Sequence, residues 1–505
     1  MEGFLLRFVA AAVVVALCGA CEMAGAWAGE RREPAPQVLF VRQPPADAAA
    51  AGLAPLLAQP PAAADGSEGR PFATLRAALM AARPGALLRI EEGIWRERLE
   101  ITRPLVLLGR GPGRTRIMPE GGLPAIEVRG TGRVEIRGLS IEGASVGISY
   151  WGGTGHRLEN VSVRGAWQTG IVARGARLVI LGSELADVGK GKMGRGIDLE
   201  GGSLEATNLI LRAAGRRAIV LHGSRAVLTD LDVQGSSLAA IQVTDGAVVR
   251  VLRGSFIGQG GAALYAGGAR LIVDDAEVRG AEYAVIGFRD ADLFISGGRF
   301  SDYRVAGVAL INSGGTIQRC RIGGSGTEAA ISITGKVKRP VALLDNRIHD
   351  TGAMGVHVTS SSVLARGNII TGTRLDRDKD MGDAFYAVES DLVVDRNVLR
   401  GNAGSGVAIV RSHLRMTGND VIDNGRSGML LLGNSRAKAS RNLFEGNSTG
   451  IELAEQSRAS ISRNRFGVNP KYDIDAGCER GLRGTAELDS DNTFAGTPRQ
   501  RVCAE

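Results

Sequence analysis

The chain has 505 residues, of which 72 are glycine and 4% are aromatic, and its formal net charge is +8. A chain of this length would ordinarily form several domains, but a short repeat running through most of it indicates one elongated unit. The positive charge comes mainly from arginine. It does not indicate nucleic-acid binding, because no recognised nucleic-acid module interrupts the repeat and the N-terminus predicts export.

Residues 1–28 have the pattern of a signal peptide. Arg7 precedes an apolar run over residues 8–17, and Ala26, Trp27 and Ala28 form a small-x-small cleavage site. The alternative is a lipoprotein, anchored by a lipid on Cys21. No later segment has the ~20 apolar residues that a membrane-spanning helix needs. We therefore expect an exported protein, located in the periplasm, at the cell surface or outside the cell.

Residues 29–69 are rich in proline and alanine, which predicts a linker with little fixed structure. Residues 70–110 are predicted to form an N-terminal cap and the first strands. The cap is a helix over residues 71–83, with Phe72, Leu75 and Leu79 on one face and a Pro-Gly pair after it. A stack of repeats must cover its first exposed unit, so we expect this helix to lie over it.

Residues 111–466 are predicted to form the repeat region. A hydrophobic residue recurs there at steps of 22 to 29 residues, at Ile141, Val163, Leu185, Leu211, Val233, Phe256, Val278, Phe300, Ile322, Ile348, Ile370, Leu399, Val421, Phe444 and Phe466. Each unit holds short alternating apolar runs bounded by Gly, Asn, Ser or Asp, and none has helical spacing. We predict an all-β fold, a single-stranded parallel β-helix of about 16 turns.

Polar side chains recur at fixed positions in the C-terminal half. One set is Asn346, Asn368, Asn397, Asn419, Asn442 and Asn464, and the other is Ser361, Ser390, Ser412, Ser435 and Ser457. Stacked turns lie about 4.8 Å apart, so identical side chains come into register and asparagine amides can bond to one another. Gly355, Gly406 and Gly428 hold a further position, where we predict a positive φ. Cys320 takes the asparagine position of its turn and is predicted to be a buried thiol.

Residues 467–505 are predicted to form a C-terminal cap. Cys478 and Cys503 flank this tail, and in an oxidising compartment they would close a disulfide across it.

Several segments resemble a known family. Residues 72–75 (Phe-Ala-Thr-Leu), 93–95 (Gly-Ile-Trp) and 104–109 (Pro-Leu-Val-Leu-Leu-Gly) resemble the start of right-handed β-helix proteins of the pectin-lyase type. Residues 397–402 with Gly406 resemble carbohydrate-binding and sugar-hydrolase repeats, which also occur in alginate C5-epimerases. The resemblance implies a right-handed β-helix whose outer groove holds a polysaccharide.

Two of the three longer units have their extra residues in the same turn. Residues 190–195 and 376–383 lengthen that turn, whereas residues 336–340 lengthen a different one. Insertions decorate one face of a repeat protein, so the shared turn is predicted to border the functional side. Alternate residues of the strand that follows it point outward.

Those outward positions predict a first candidate site. Its predicted catalytic residues are Asp198, Glu200 and His222, and its predicted substrate-binding residues are Arg174, Lys190, Lys192, Arg195, Arg216, Arg217 and Gln242. Paired carboxylates beside a histidine suit general acid–base chemistry, and the cations suit an acidic sugar polymer. The alternative is a solvated strand face with incidental charge pairs.

A second candidate site lies further along the chain. His357 and Tyr386 are predicted catalytic residues near His349 and Asp350, in units beside an acidic loop. The loop residues Asp376, Asp378, Asp380 and Asp383 have oxygen-rich spacing that predicts a calcium site, although the glycine and final glutamate of a standard calcium loop are missing. The alternative is a solvated loop. No cofactor is required by the chemistry expected here.

These observations predict a monomer that binds or processes an acidic envelope or extracellular polysaccharide. If the protein is an enzyme, lyase or C5-epimerase chemistry on uronate residues is expected. The Asp-Pro-His-Asp sequence of alginate epimerases does not occur in the chain. The alternative is a non-catalytic structural or adhesive rod, and the fold alone does not choose between the two.

Overall fold

The computed structural model describes residues 36–44, 64–190, 193–324, 326–376, 378, 381–477 and 483–502. The compact unit beginning at Gln37 is a parallel β-helix of about 18 turns, compared with the 16 expected. Each turn contributes one strand to each of three parallel sheets, named here I, II and III. The prediction of an all-β solenoid is confirmed.

Four long strands pass through a corner and belong to both sheet I and sheet II: Val134–Glu142, His156–Arg164, Ser203–Arg212 and Arg225–Gln234. The other strands of sheet I are Val38–Val41, Ala86–Ile90, Leu105–Leu108, Arg177–Leu181, Val248–Leu252, Arg270–Asp274, Asp292–Ser296, Gly314–Gln318, Val341–Leu344, Ser362–Arg366, Asp391–Asp395, His413–Thr417, Arg436–Ser440, Arg458–Ser462 and Thr485–Leu488.

The other strands of sheet II are Gly93–Trp95, Thr115–Ile117, Glu184–Ala186, Ser255–Ile257, Glu277–Arg279, Arg299–Ser301, Arg321–Gly323, Arg347–His349, Ile369–Thr371, Val398–Arg400, Asp420–Ile422, Leu443–Glu445, Arg465–Phe466 and Thr493–Phe494. Sheet III consists of Leu99–Ile101, Ile126–Arg129, Val146–Trp151, Thr169–Arg174, Arg195–Glu200, Arg217–His222, Ala239–Thr244, Ala262–Gly267, Tyr283–Phe288, Ala306–Ile311, Ala329–Thr334, Met354–Thr359, Phe385–Val388, Val407–Val410, Ser427–Leu432, Thr449–Leu453, Tyr472–Asp475 and Gln500–Arg501.

The helix Leu75–Ala81, α1, is the only α-helix in the described part of the chain, and it is shorter than the predicted 71–83. The Thr74 hydroxyl accepts the Ala77 N–H, so the helix begins after Thr74. The Glu97 carboxylate accepts the N–H groups of Leu75 and Arg76 at 2.8 and 2.9 Å. Leu75 and Ala78 are buried, and α1 contacts Val38–Val41 and Leu99–Ile101 at the N-terminal end, as a cap should.

Both predicted end segments contain strands of the solenoid. Val38–Val41 lies inside the predicted linker 29–69 but pairs in parallel with Ala86–Ile90, so the linker prediction is wrong for these residues. A four-residue strand beside prolines gives too short a pattern to detect. Strands at Tyr472–Asp475, Thr485–Leu488 and Thr493–Phe494 likewise continue the three sheets into the predicted C-terminal cap. Residues 1–28, Cys478 and Cys503 lie outside the described residues, so the signal peptide, the lipid anchor and the disulfide stay predictions.

The corner between sheets I and II is made by a single residue with positive φ. Asn208, Asp230 and Asp275 hold this position with φ between 52° and 55°, a region that asparagine and aspartate tolerate. Gly355, Gly406 and Gly428 do not have positive φ, so that prediction is wrong. Glycine is needed at these positions because a Cβ atom would lie 2.5–2.7 Å from side chains of the core.

The residue after this corner starts the asparagine ladder. Each predicted asparagine is buried and donates from Nδ2 to Oδ1 of the next, at 2.8 to 3.0 Å. Asn464, the last of them, donates to Asn492 at 3.2 Å, so Asn492 extends the row. In the serine ladder, the backbone N–H of each serine donates to the next hydroxyl at 3.0 to 3.2 Å. A second asparagine ladder, Asn402, Asn424, Asn447 and Asn469, was not predicted.

All the recurring hydrophobic residues point into the core and are at most 1% exposed.

Candidate functional site

The outward face of sheet III carries both predicted sites. Strand pairing aligns one column of outward residues, Val172, Asp198, Val220, Gln242 and Tyr265. A parallel column contains Arg129, Trp151, Arg174, Glu200, His222 and Thr244. The predicted register of these residues is therefore confirmed.

Both insertions predicted to share a turn lie between sheets II and III. One joins Glu184–Ala186 to Arg195–Glu200, and the other joins Ile369–Thr371 to Phe385–Val388. A regular turn at this place, such as that before Ala239–Thr244, has four residues. Residues 336–340 lie instead between sheets III and I, as the sequence indicated. The inserted loops thus border the outward face of sheet III.

Asp198 is held between two arginines. Its Oδ2 lies 2.6 Å from Nη2 of Arg174 and 2.7 Å from Nη1 of Arg195. The residue is 3% exposed, and its Oδ1 has no hydrogen-bond partner within the described residues. Both guanidinium groups contact the same carboxylate oxygen, so this side chain holds the two arginines in place. The structure therefore favours a positioning role over the predicted catalytic one.

Glu200 and His222 are neighbours across one strand pair. The Glu200 side chain is 66% exposed and lies 3.2 Å from Nε of Arg174. Nδ1 of His222 lies 2.7 Å from the Thr244 hydroxyl and 3.0 Å from Oδ2 of Asp245. Hydrogen bonds from Thr244 and then from His222 lower the pKa of Asp245. Asp245, which sequence reasoning missed because it lies in the turn after the strand, is the residue that orients the imidazole.

The predicted binding residues divide into an inner and an outer group. Arg195 and Arg217 are in register on adjacent strands, and Arg217 donates from Nε to Oε1 of Gln242. Burial, followed by the charges of Arg195 and Arg216, lowers the pKa of Arg217. Lys190 is exposed and lies 3.4 Å from Asp187, while Lys192 lies outside the described residues. Arg195 and Arg217, the inner arginines, are close together and partly buried. They are therefore stronger anion-binding candidates than the exposed Lys190.

Trp151 is an outward aromatic residue that the sequence analysis missed. It is 46% exposed, and the Arg129 guanidinium lies 5.8 Å from its ring centroid. Arg174 is its register neighbour on the other side. Following the Arg174 column one turn towards the N-terminus would have found it. An exposed indole between two arginines offers both an apolar platform and anion-binding groups.

His357 and Tyr386 lie side by side on adjacent strands of the second site. Their ring centroids are 5.8 Å apart, and Nε2 of His357 is 3.1 Å from the Thr359 hydroxyl. Burial lowers the pKa of His357. Burial and then the charge of Asp383 raise the pKa of Tyr386. Near neutral pH the pair is therefore an uncharged imidazole beside a protonated phenol, which suits one as a base and the other as an acid.

Asp383, a predicted calcium ligand, lies close enough to Tyr386 for its charge to act on the phenol. It is 4% exposed, its Oδ1 accepts the Ser405 N–H at 2.5 Å, and burial raises its pKa. Oδ1 of Asp376 accepts the Met381 N–H at 3.3 Å, and Asp378 is exposed. Asp380 lies outside the described residues, among which no three acidic, histidine or cysteine side chains are placed to hold a metal. Calcium binding by this loop stays a prediction.

The two sites are separate. Six strand steps along sheet III lie between His222 and His357, which is about 29 Å at 4.8 Å a step. Tyr265, Tyr283 and Phe288 lie on the outward face between them. His349 lies on sheet II, where its Nδ1 is 3.0 Å from Asp350. The predicted catalytic residues therefore form two clusters on one continuous face, and a single sugar cannot contact both.

Comparison with known proteins identifies the class. Residues 217–375 and 306–466 match a family model described as "Right handed beta helix region". Together with the parallel pairing of the three sheets, this shows that the chain is a right-handed parallel β-helix protein. No curated protein sequence matches the chain. Within the described residues, no helix is long and apolar enough to cross a membrane.

Solved structures that match this chain include the Mannuronan C-5 epimerase AlgE6 A-module of Azotobacter vinelandii. The two sequences are 12% identical, the match covers 85% of this chain and 93% of that chain, and the TM-score is 0.32. Alginate lyase from Paenibacillus sp. str. FPU-7 has 14% identity, covers 72% and 95% of the two chains, and gives a TM-score of 0.26. The GH87 alpha-1,3-glucanase of Streptomyces thermodiastaticus strain HF3-3 has 11% identity, 84% and 65% coverage, and a TM-score of 0.26. At these identities and TM-scores, the similarity assigns no activity to this chain.

Proposed function

We propose that this protein is exported, binds an acidic polysaccharide along the outward face of sheet III and abstracts a uronate C5 proton at His357 and Tyr386. The observation that carries the proposal is the contact between an imidazole and a phenol on adjacent strands, with buried Asp383 beside them. These groups face outward next to the longer of the two inserted loops. A solvated strand face would not need three partly or fully desolvated titratable groups together.

The chemistry follows from the protonation states of the pair. Neutral His357 accepts the proton from C5 of the uronate, and the electron pair left on carbon is delocalised into the carboxylate. In a lyase, the C4–O bond then breaks, a C4–C5 double bond forms, and Tyr386 protonates the leaving oxygen. In an epimerase, Tyr386 instead returns a proton to C5 from the opposite side. The raised pKa of Tyr386 keeps its phenol protonated for either step.

The substrate carboxylate must be neutralised for C5 to become acidic, and arginines near the pair can do this. The charge of Arg411 acts on Tyr386, and that of Arg426 acts on Asp383. Arg411 also lies 3.1 Å from Glu389, so it is held beside the face. Guanidinium forks match the planar carboxylates of uronates.

The rest of sheet III provides binding surface for a long chain. Trp151 lies on the third strand of sheet III, Arg195 and Arg217 lie on the fifth and sixth, and His357 and Tyr386 lie on the twelfth and thirteenth. A polymer lying along the rod axis would contact both clusters, with reaction at only one of them. The proposal therefore assigns substrate binding to Arg174, Arg195, Arg217 and Gln242, and acid–base chemistry to His357 and Tyr386.

The test is incubation of purified protein with alginate and polygalacturonate. Unsaturated products are followed by ultraviolet absorbance, and inversion at C5 by NMR. We expect His357→Gln and Tyr386→Phe each to lower the rate by about 100-fold or more, because each removes a proton-transfer group. Tyr472→Phe is the matched control, since Tyr472 lies on a distant strand of the same sheet and packs against Arg501.

The rival function is a non-catalytic rod. Retention of the polymer without any product would reject the catalytic proposal and support a binding rod. Full activity in both the His357→Gln and Tyr386→Phe proteins would reject the assignment of the pair. Sequencing the N-terminus of the mature protein from periplasm and medium tests export, and recovery of an intact residue 1 from the cytoplasm alone would contradict it.

A further inference from the structure

Four cations form a compact cluster on the outward face of sheet I, away from the groove on sheet III. Arg415 is in register with Lys438, and Arg436 is in register with Arg458. Arg436 and Lys438 are two residues apart on one strand and point to the same side. All four side chains are exposed. We call Arg415, Arg436, Lys438 and Arg458 the cationic face.

The cationic face has no counter-ions of its own. Within the described residues, none of the four side chains forms an ion pair or a side-chain hydrogen bond. The nearby acidic groups are Asp391, which His413 contacts at 3.0 Å, and Glu487 at the other end. By contrast, Arg366 on the same face of sheet I is paired with Asp395 at 2.9 Å.

Such a cluster costs folding free energy. Neighbouring strands are about 4.8 Å apart, so like charges directly opposite each other repel. The four residues line a cavity of about 580 Å³, whose remaining wall includes Val393, 37% exposed. An anionic ligand that filled the cavity would convert this repulsion into attraction.

We propose that the cationic face binds a linear polyanionic glycan lying along the axis of the rod. The cations repeat from turn to turn in a concave strip, which suits a chain with a carboxylate on successive sugars. A flat membrane surface would not enter the cavity. This surface goes beyond the proposed function: it lies on a different sheet and needs neither His357 nor Tyr386.

The test combines a local and a global measurement on the full mature chain. Polygalacturonate is expected to protect Lys438 from amine acetylation, read by mass spectrometry, and to leave exposed Lys338 unprotected. Dextran, which is neutral, should protect neither lysine. The double variant R436Q/K438Q is expected to bind polygalacturonate at least tenfold more weakly, and with a shallower dependence on salt because fewer counter-ions are released.

Arg366→Gln is the matched control, because it removes a paired arginine from the same face. Thermal unfolding of each variant confirms that it is folded. Acetylation of Lys438 at an unchanged rate in saturating polygalacturonate overturns the proposal. Protection of Lys438 by phosphatidylglycerol vesicles but not by polygalacturonate also overturns the proposal, because the cationic face would then be a membrane contact. Protection that persists in the His357→Gln protein, even if no activity is found, supports the cationic face independently of the catalytic proposal.

Discussion

Nδ2 of Asn419 donates to Oδ1 of Asn442 at 2.8 Å, although the two residues are 23 positions apart in the chain. Oδ1 of Asn419 in turn accepts both the backbone N–H and the side-chain amide of Asn397, at 2.8 and 3.0 Å. One side chain thus joins three successive turns. Because Asn397, Asn419 and Asn442 are buried and bonded to one another, the ladder is a structural element in its own right.

Asn419→Ala is expected to be strongly destabilising. It leaves the Asn397 N–H and the Val394 carbonyl without their partners in a buried row, and each unmade bond of this kind costs about 1–3 kcal/mol. We expect the free energy of unfolding to fall by about 3 kcal/mol in a denaturant titration. Asp420→Ala, which changes an exposed neighbour, should leave the midpoint nearly unchanged, and equal midpoints for the two variants would contradict the prediction.

Cys320→Asn is expected to stabilise the protein by about 1 kcal/mol, the net value of a typical hydrogen bond. Cys320 is buried at the ladder position, and its backbone N–H already donates to Oδ1 of Asn346 at 3.0 Å. An asparagine amide there would extend the row by one turn. Cys320→Val removes the polar atom and should lower the unfolding midpoint. An unfolding midpoint for Cys320→Asn at or below that of the wild type would show that the ladder cannot be lengthened.

The same cysteine is expected to be chemically inert in the folded protein. Burial raises the pKa of Cys320 to about 11, so little thiolate forms at neutral pH. Iodoacetamide should modify it only after denaturation. Rapid alkylation of the folded chain at pH near neutrality would contradict the buried position.

The repeat allowed the stacking to be predicted, but not the orientation of individual side chains. In a solenoid, the period decides which residues are in register, so Asn419 over Asn442 and the column through Asp198 followed from counting. Whether Asp198 faces a substrate or pairs with arginines depends on the path of the inserted loop, which has no periodic pattern. Asp383 turned towards Ser405 for the same reason. Val38–Val41 escaped detection because four residues do not establish a period.

His156 should make stability depend on pH. It is fully buried, its Nδ1 accepts the Val134 N–H at 3.2 Å, and its Nε2 donates to the Gly152 carbonyl at 3.0 Å. Burial lowers the pKa of His156, against a smaller opposing effect of the Gly152 carbonyl. The unfolded chain therefore binds the proton more readily, so this contribution is present above the unfolded pKa of about 6.5 and is lost as pH falls through the folded value.

The measurement is the difference in unfolding free energy between the wild type and His156→Gln. This difference is expected to be largest near pH 8, where His156 is neutral in both states, and to shrink on acidification below about pH 6.5. His357 titrates in the same direction but is present in both proteins, so it cancels. A difference that is constant with pH would exclude His156 as the titrating group.

Removal of Asp198 should lower stability far more than removal of Glu200, although the two residues are only two positions apart on one strand. Asp198→Ala leaves Arg174 and Arg195 facing each other around a vacated buried site, and loss of one partner from a buried pair costs about 3 kcal/mol. Glu200→Ala removes a carboxylate that is 66% exposed, and surface pairs contribute only about 0–1 kcal/mol. We therefore expect a large loss of thermal stability in the first variant and almost none in the second.

Addition of polygalacturonate separates structure from binding, because a uronate carboxylate that enters between the two arginines would restore part of the stability of the Asp198→Ala protein. Equal stability of the two variants would show that Asp198 does not hold the arginines in place.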